Sequence, residues 1–214
     1  MSRASVTALR PSDRREEILA AAQRCFARSG FHQSSMQEIC AEAGISPGGL
    51  YRYFPSKEAI IAAIAERDRA DVAENFAAVA DVPGVFEGLE QLARHYLIER
   101  PAEEINLCAE IRTESRRNPE IGRIHHAINT DVEAGLVTVL RKAAERGEIP
   151  SDLDLERIVV VLLALGDGLE WRRAAEPDFK IEPLFPHIMQ VLRCLLSHGP
   201  GPKPKSGKET SDES

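Results

Sequence analysis

An all-α fold is predicted by three features of this sequence. Apolar residues recur at spacings of three and four along almost every segment between Pro and Gly breaks. Ser or Asp followed three residues later by Glu opens two of those segments. The valine-rich run 158–165, which alone could read as a buried strand, has no second strand candidate to pair with. With 214 residues, 43% of them hydrophobic, the chain can bury a sizeable core, as one large domain or as a small one followed by a larger one.

Residues 1–12 are polar, carry Arg3 and Arg10 and end at Pro11 and Ser12, so a disordered arm is expected there, either a solvated tail or an arm that reaches a minor groove. Asp13 with Glu16 offers a capping box. It opens a helix whose Ile18, Ala22, Cys25, Phe26 and Ser29 share one face and which Gly30 ends. Ser35 with Glu38 offers a second box, starting a helix at Met36 that buries Met36, Ile39, Cys40 and Ala43 and stops at Gly44, a residue free to turn left-handed. Ile45 fills the corner. Ser46 caps a third helix with Pro47 at its first position, where the missing amide costs nothing, and that helix runs to about Tyr53.

The third helix is a poor core element, because Gly48 and Gly49 are weak helix formers and only Leu50, with Tyr51 less clearly, has reason to face inward. Weak local stability asks for an external partner. Two glycines on an exposed first turn admit a close backbone approach, and Tyr51, Arg52 and Tyr53 add hydrogen-bonding groups. A DNA major groove, which accepts an α-helix by its N-terminal residues, fits that surface.

After Pro55, Ser56 caps a long helix with Lys57 in its first turn. A lysine there opposes the helix dipole, which a phosphate would explain and a solvated position would also allow. The apolar series Ile60, Ile61, Ile64, Val72, Phe76 and Val79 makes this helix the bridge between the small domain and the large one. Asp81, Pro83 and Gly84 break the chain, and Phe86, Leu89, Leu92, Tyr96 and Leu97 mark a further helix to Glu99. The segment 102–118 has few apolar residues, Ile105, Cys108 and Ile111, and reads as loosely held. Ile121 to Ala143 form another long apolar pattern ending at Gly147. The run 158–165 reads as a helix capped by Asp152 or Asp154, and Ile181 to Leu196 as a last helix. These two supply faces for a four-helix dimer interface. Residues 199–214 are rich in Pro, Gly, Lys and Ser and read as a disordered tail.

Three stretches between Arg14 and Ile60, ILAAAQRCFARSGF, SMQEICAEAGIS and GGLYRYFPSKEAI, resemble the N-terminal DNA-binding domain of the TetR family of bacterial transcriptional regulators. The resemblance implies a helix-turn-helix domain over 13–57 and a ligand-binding and dimerisation domain over 58–198. It further implies a homodimer on a near-palindromic double-stranded operator, acting as a repressor that a small-molecule effector releases. By that resemblance Ser34, Ser35, Tyr53 and Lys57 take phosphate-contacting positions, while Ser46, Gly48, Gly49, Tyr51 and Arg52 face the groove, with Arg52 the base reader. An effector pocket is expected among the C-terminal helices, and Tyr96, Cys108, Arg112, His125, Asn129 and Trp171 are the candidate lining residues.

The net charge of −7 looks unsuited to DNA until it is divided. Residues 1–57 hold eight Lys and Arg against five Asp and Glu, a net +3, which leaves −10 on the other 157 residues. Attraction to phosphates depends on the field at the docking face, so a basic end on an acidic body is compatible with binding. The four cysteines, Cys25, Cys40, Cys108 and Cys194, have no paired spacing and read as reduced core thiols, with no metal site and no cofactor implied. His125 and His126 point to different sides of a helix, and no nucleophile, base and orienting group come together, so catalysis is not expected. No run of eighteen apolar residues or N-terminal apolar block is present, and a cytoplasmic protein without membrane contact is expected. The rival reading is a helical small-molecule-binding or catalytic protein that keeps the helix-turn-helix as a relic.

Overall fold

The computed structural model describes residues 11–176 and 178–197. They form nine α-helices with no strand: α1 Pro11–Gln33, α2 Met36–Ala43, α3 Pro47–Tyr53, α4 Lys57–Ala80, α5 Val85–Arg94, α6 Ala102–Glu114, α7 Pro119–Glu145, α8 Leu155–Ala175 and α9 Phe185–Ser197. A π-helical turn, His95–Glu99, extends α5, and a 3-10 turn, Glu182–Leu184, leads into α9. The tail expected at 199–214 lies outside the described residues, as does the arm except for Pro11 and Ser12, which already belong to α1. Asp13 therefore sits inside the first turn of α1 and does not open it.

Local chemistry accounts for most boundaries. Ser35 accepts the Glu38 amide at 3.1 Å while Glu38 accepts the Ser35 amide at 2.7 Å, a reciprocal cap worth about 1 kcal/mol. Gly44 closes α2 at φ 62° and ψ 40°, Ser46 accepts the Gly49 amide, and Asp154 accepts the Arg157 amide. Gly30 breaks α1 at φ 76° and ψ 162°, a conformation that a side chain would strain. A Cβ there would also meet Glu110 Oε2 of α6 at 2.9 Å.

The first core gathers Ile18, Leu19, Phe26, Ile39, Leu50, Phe54, Ile60, Ile61 and Ile64 from α1–α4. It is completed by Leu107 and Ile111 of α6 and Ile121 of α7, so the small domain is sealed by the large one. This overturns the expectation of a loose segment at 102–118, since α6 buries Ile105, Leu107, Ile111 and Glu114. Sparse apolar residues mislead there because Ile105, Leu107 and Ile111 all face inward. The second core joins Phe76 and Val79 of α4 to Leu89, Leu92, Val139, Leu140, Val159, Leu192 and Leu196. Thus α4 contributes its first half to one core and its second half to the other. Only Val159 of α8 is buried, whereas Val160 and Val161 are 57% and 51% exposed, so the all-round apolar helix is not covered within one chain.

Candidate nucleic-acid interface and effector site

The corner of α2 and α3 leaves a compact surface outward. Leu50 is fully buried and anchors α3 from beneath, while Ser35, Ser46, Gly48, Tyr51 and Arg52 are exposed and Gly49 and Tyr53 half-buried. Neither Gly48 nor Gly44 would bring a Cβ against any neighbour, so the space above Gly48 is open to a partner. Arg52 stands over the Tyr53 ring at 5.4 Å, which restrains its guanidinium at the edge of this surface. The α2 face is tied back to α1 by Arg24 Nε on Glu42 Oε1 at 2.7 Å, and that bond holds the Glu42 carboxyl below its usual range.

Two of the residues expected at phosphates have their side chains engaged within the protein. Ser34 is 2% exposed, and its hydroxyl donates to the Gly30 carbonyl at 2.8 Å and lies 3.1 Å from the Cys25 carbonyl, so that side chain serves the end of α1 and does not face a phosphate. Lys57 turns inward as well. Its ammonium donates to the carbonyls of Phe31 at 2.6 Å, Ser34 at 2.7 Å and His32 at 3.4 Å, and sits 4.5 Å from the centre of the Phe31 ring. These carbonyls lie between the Gly30 break in α1 and the start of α2, so the lysine at the start of α4 ties down that corner.

In the larger domain Arg100, at the end of the π turn, is the hub of a half-buried polar cluster. It reaches Glu104 at 3.2 Å, Cys108 Sγ at 3.2 Å and Glu170 at 3.5 Å. Arg112 pairs with Asp167 at 2.7 Å and approaches Glu170 at 3.8 Å. Glu170 thus lies between two guanidiniums at long range, and burial raises its pKa despite them. Burial also raises the Cys108 thiol and the Tyr96 phenol, the latter bonded to Asn75 Nδ2 at 3.2 Å. His125 is pushed down by burial and then by the Arg112 charge, which favours neutral imidazole.

Four of the six expected pocket residues, Tyr96, Cys108, Arg112 and His125, therefore belong to one electrostatically connected group. The other two do not. Asn129 is exposed on α7, and Trp171 is 51% exposed on α8, beside a separate cleft. Arg100 and Glu170 are the members that the sequence does not reveal. Arg100 stands beside the Pro101 break and Glu170 beside Trp171 in the last turns of an apolar helix, so neither carries a local signal. Cys194 is exposed on α9 and Cys108 is partly so, which leaves Cys25 and Cys40 as the buried core thiols. No group of three or more metal-ligating side chains occurs among the described residues, and no helix among them is long and apolar enough to cross a membrane.

A capped, groove-sized helix presented on a small domain that a larger helical domain seals defines a helix-turn-helix regulator, and comparison with known proteins agrees. Residues 18–64 match the profile of bacterial regulatory proteins of the tetR family, and residues 86–193 match that of the C-terminal domain of BetI-type transcriptional repressors. The HTH-type transcriptional regulator UidR of Escherichia coli K12 is 33% identical over 186 residues, covering 85% of this chain and 90% of UidR. Salmonella enterica GusR superposes with a TM-score of 0.77 at 32% identity, over 88% of this chain and 98% of that one. The fold is shared with Bacillus subtilis FadR, solved in complex with stearoyl-CoA, at a TM-score of 0.71 and 22% identity, over 85% and 97% of the two chains. The chain belongs to the TetR family. It is a DNA-binding transcriptional regulator.

Proposed function

We propose that the protein is a homodimeric repressor that binds a near-palindromic operator through α3 and releases it when a small molecule enters the larger domain. The observation that carries the DNA reading is the outward surface of α3, an exposed first turn with Gly48 open above and Tyr51 and Arg52 beside it. Ser35, Ser46, Gly48, Gly49, Tyr51, Arg52 and Tyr53 meet the duplex in this reading. Ser34 and Lys57 position them by holding the α1 corner. Pairing through α8 and α9 is supported by the exposed Val160, Val161, Leu184 and Val191, which water would otherwise cover.

Effector binding draws support from the half-buried Arg100, Arg112 and Glu170 cluster, whose long contacts leave charge to be met by a ligand. FadR was captured with stearoyl-CoA, and that ligand is not carried over to this chain, whose cluster is polar. A gel shift and footprint on the DNA flanking its own gene tests the reading. A protected site of two related half-sites, lost with rising salt, is the expected result. Binding absent even at low salt would leave the relic reading in its place, and binding equally strong on random DNA would remove the operator-specific part of this reading.

A further inference from the structure

The seam between α1 and α6 opens, beyond Glu110, into a cleft of about 320 Å³ that reaches α8. Small side chains make its walls, Ala27 from α1, Ala109 from α6 and Ala174 from α8, and these leave the Trp171 indole half-exposed beside them. Glu110 is the single charged residue among those lining it, and it also lines the adjoining cleft that holds His32, Glu114 and Arg117. Its Oε2 accepts the Phe31 amide at 3.1 Å, while Oε1 accepts no hydrogen bond from the described residues. The cleft therefore offers an aromatic surface, alanine walls with the polar Asn106 and Thr113 between them, and one carboxylate, with no cation among its own lining residues.

We infer that this cleft is a second ligand site, separate from the Arg100 cluster, for a small organic cation bearing an aromatic or alkyl group. The cation meets Glu110, and the apolar part packs against Trp171 and the alanines. Indole attracts cations through its ring quadrupole as well as by area, so the two lining groups select the same charge. An anion of the same size is repelled, and a neutral one gains only the apolar contact. The walls come from α1 of the DNA-binding domain and from α6 and α8 of the larger one, so an occupant bears on the joint that sets the position of α3. That last consequence rests on the DNA-binding reading, whereas the site itself does not.

The chain contains one tryptophan, so its emission reports on this cleft alone. Benzyltrimethylammonium chloride is titrated into the full chain at constant ionic strength. Saturable quenching of Trp171 is expected, with the half-point raised about tenfold in Glu110→Gln, whose amide oxygen can still accept the Phe31 amide. Benzoate, of similar size and opposite charge, gives no saturable change. The site is overturned by equal half-points in the two proteins, by benzoate acting as well as the cation, or by no saturation at all. An indole that acrylamide cannot reach in the free protein also overturns it, since a second copy of the chain would then cover the cleft.

Discussion

His32 Nε2 lies 2.6 Å from Glu114 Oε2, across the joint between the two domains. Glu114 is 4% exposed in α6, and His32 follows the Gly30 break in α1. Four residues earlier on the same helix, Glu110 accepts the Phe31 amide. Two successive turns of α6 thus hold the corner that precedes α2, while Lys57 of α4 holds the carbonyls of the same corner from the other side. Motion of α6 therefore reaches the DNA-binding domain directly through α1, as well as through α4.

Removing the histidine leaves a buried carboxylate without its partner. We expect His32→Ala to cost about 1–3 kcal/mol in stability, and the amides of residues 30–34 to exchange faster with solvent. Hydrogen exchange with mass spectrometry measures this. Unchanged exchange in that window would mean that the pair does not hold the joint.

Lys57 and Arg52 should fail in different ways. Lys57→Ala strips three carbonyls of their donor, so a loss of about 1–3 kcal/mol in folding stability is expected, with the salt slope of DNA binding unchanged. Arg52→Ala should leave the melting temperature alone and cost about 1–3 kcal/mol on the preferred operator, with little loss on random DNA. Thermal melts and binding isotherms at several salt concentrations separate the two. A slope reduced by about one unit in Lys57→Ala without any loss of stability would return that lysine to the phosphates.

The contrast between these two residues marks what the sequence makes legible. The caps of α2 and α3 are local, with donor and acceptor three residues apart, so Ser35, Glu38, Gly44, Ser46 and Pro47 can be read directly. The carbonyls that Lys57 and Ser34 serve are not legible from the sequence, because they lie on the far side of the α2–α3 unit or at the end of α1. Arg100 illustrates the harder case. Its partners are 4, 8 and 70 residues away, and only the packing of α8 beside α6 brings in the last of them, Glu170. The fold class needed periodicity alone, whereas the polar cluster needed the fold.

Glu170 gives the larger domain a pH dependence of known sign. Burial raises its pKa above the ordinary 4.5, so the folded state binds this proton more tightly than the unfolded one. The stability it contributes is present below 4.5 and is lost as pH rises through the higher folded value. Glu170→Gln, neutral throughout, escapes that loss. The melting temperature of the variant relative to the parent should therefore climb as pH is raised above 4.5, and a difference that stays flat or falls would show that the two arginines outweigh the burial.

Dimerisation is the relation on which operator recognition depends in this reading, and α8 makes it testable. Val160 and Val161 are more than half exposed on a helix that buries Val159 alone, and Val191 of α9 is 45% exposed. Covering such side chains is worth about 25 cal/mol for each Å² of apolar surface, so a charge placed among them should cost most of what holds two copies together. Val161→Glu is expected to convert a dimer at micromolar concentration to monomer in sedimentation velocity, with its helix content kept because the site faces outward. Since two α3 helices on a two-fold axis reach successive major-groove faces about 34 to 36 Å apart, the monomer should lose the paired footprint while keeping weak, salt-sensitive contact with DNA. A variant that remains dimeric would move the interface away from this face of α8. One that becomes monomeric yet still protects both half-sites with parental affinity would sever operator recognition from pairing altogether.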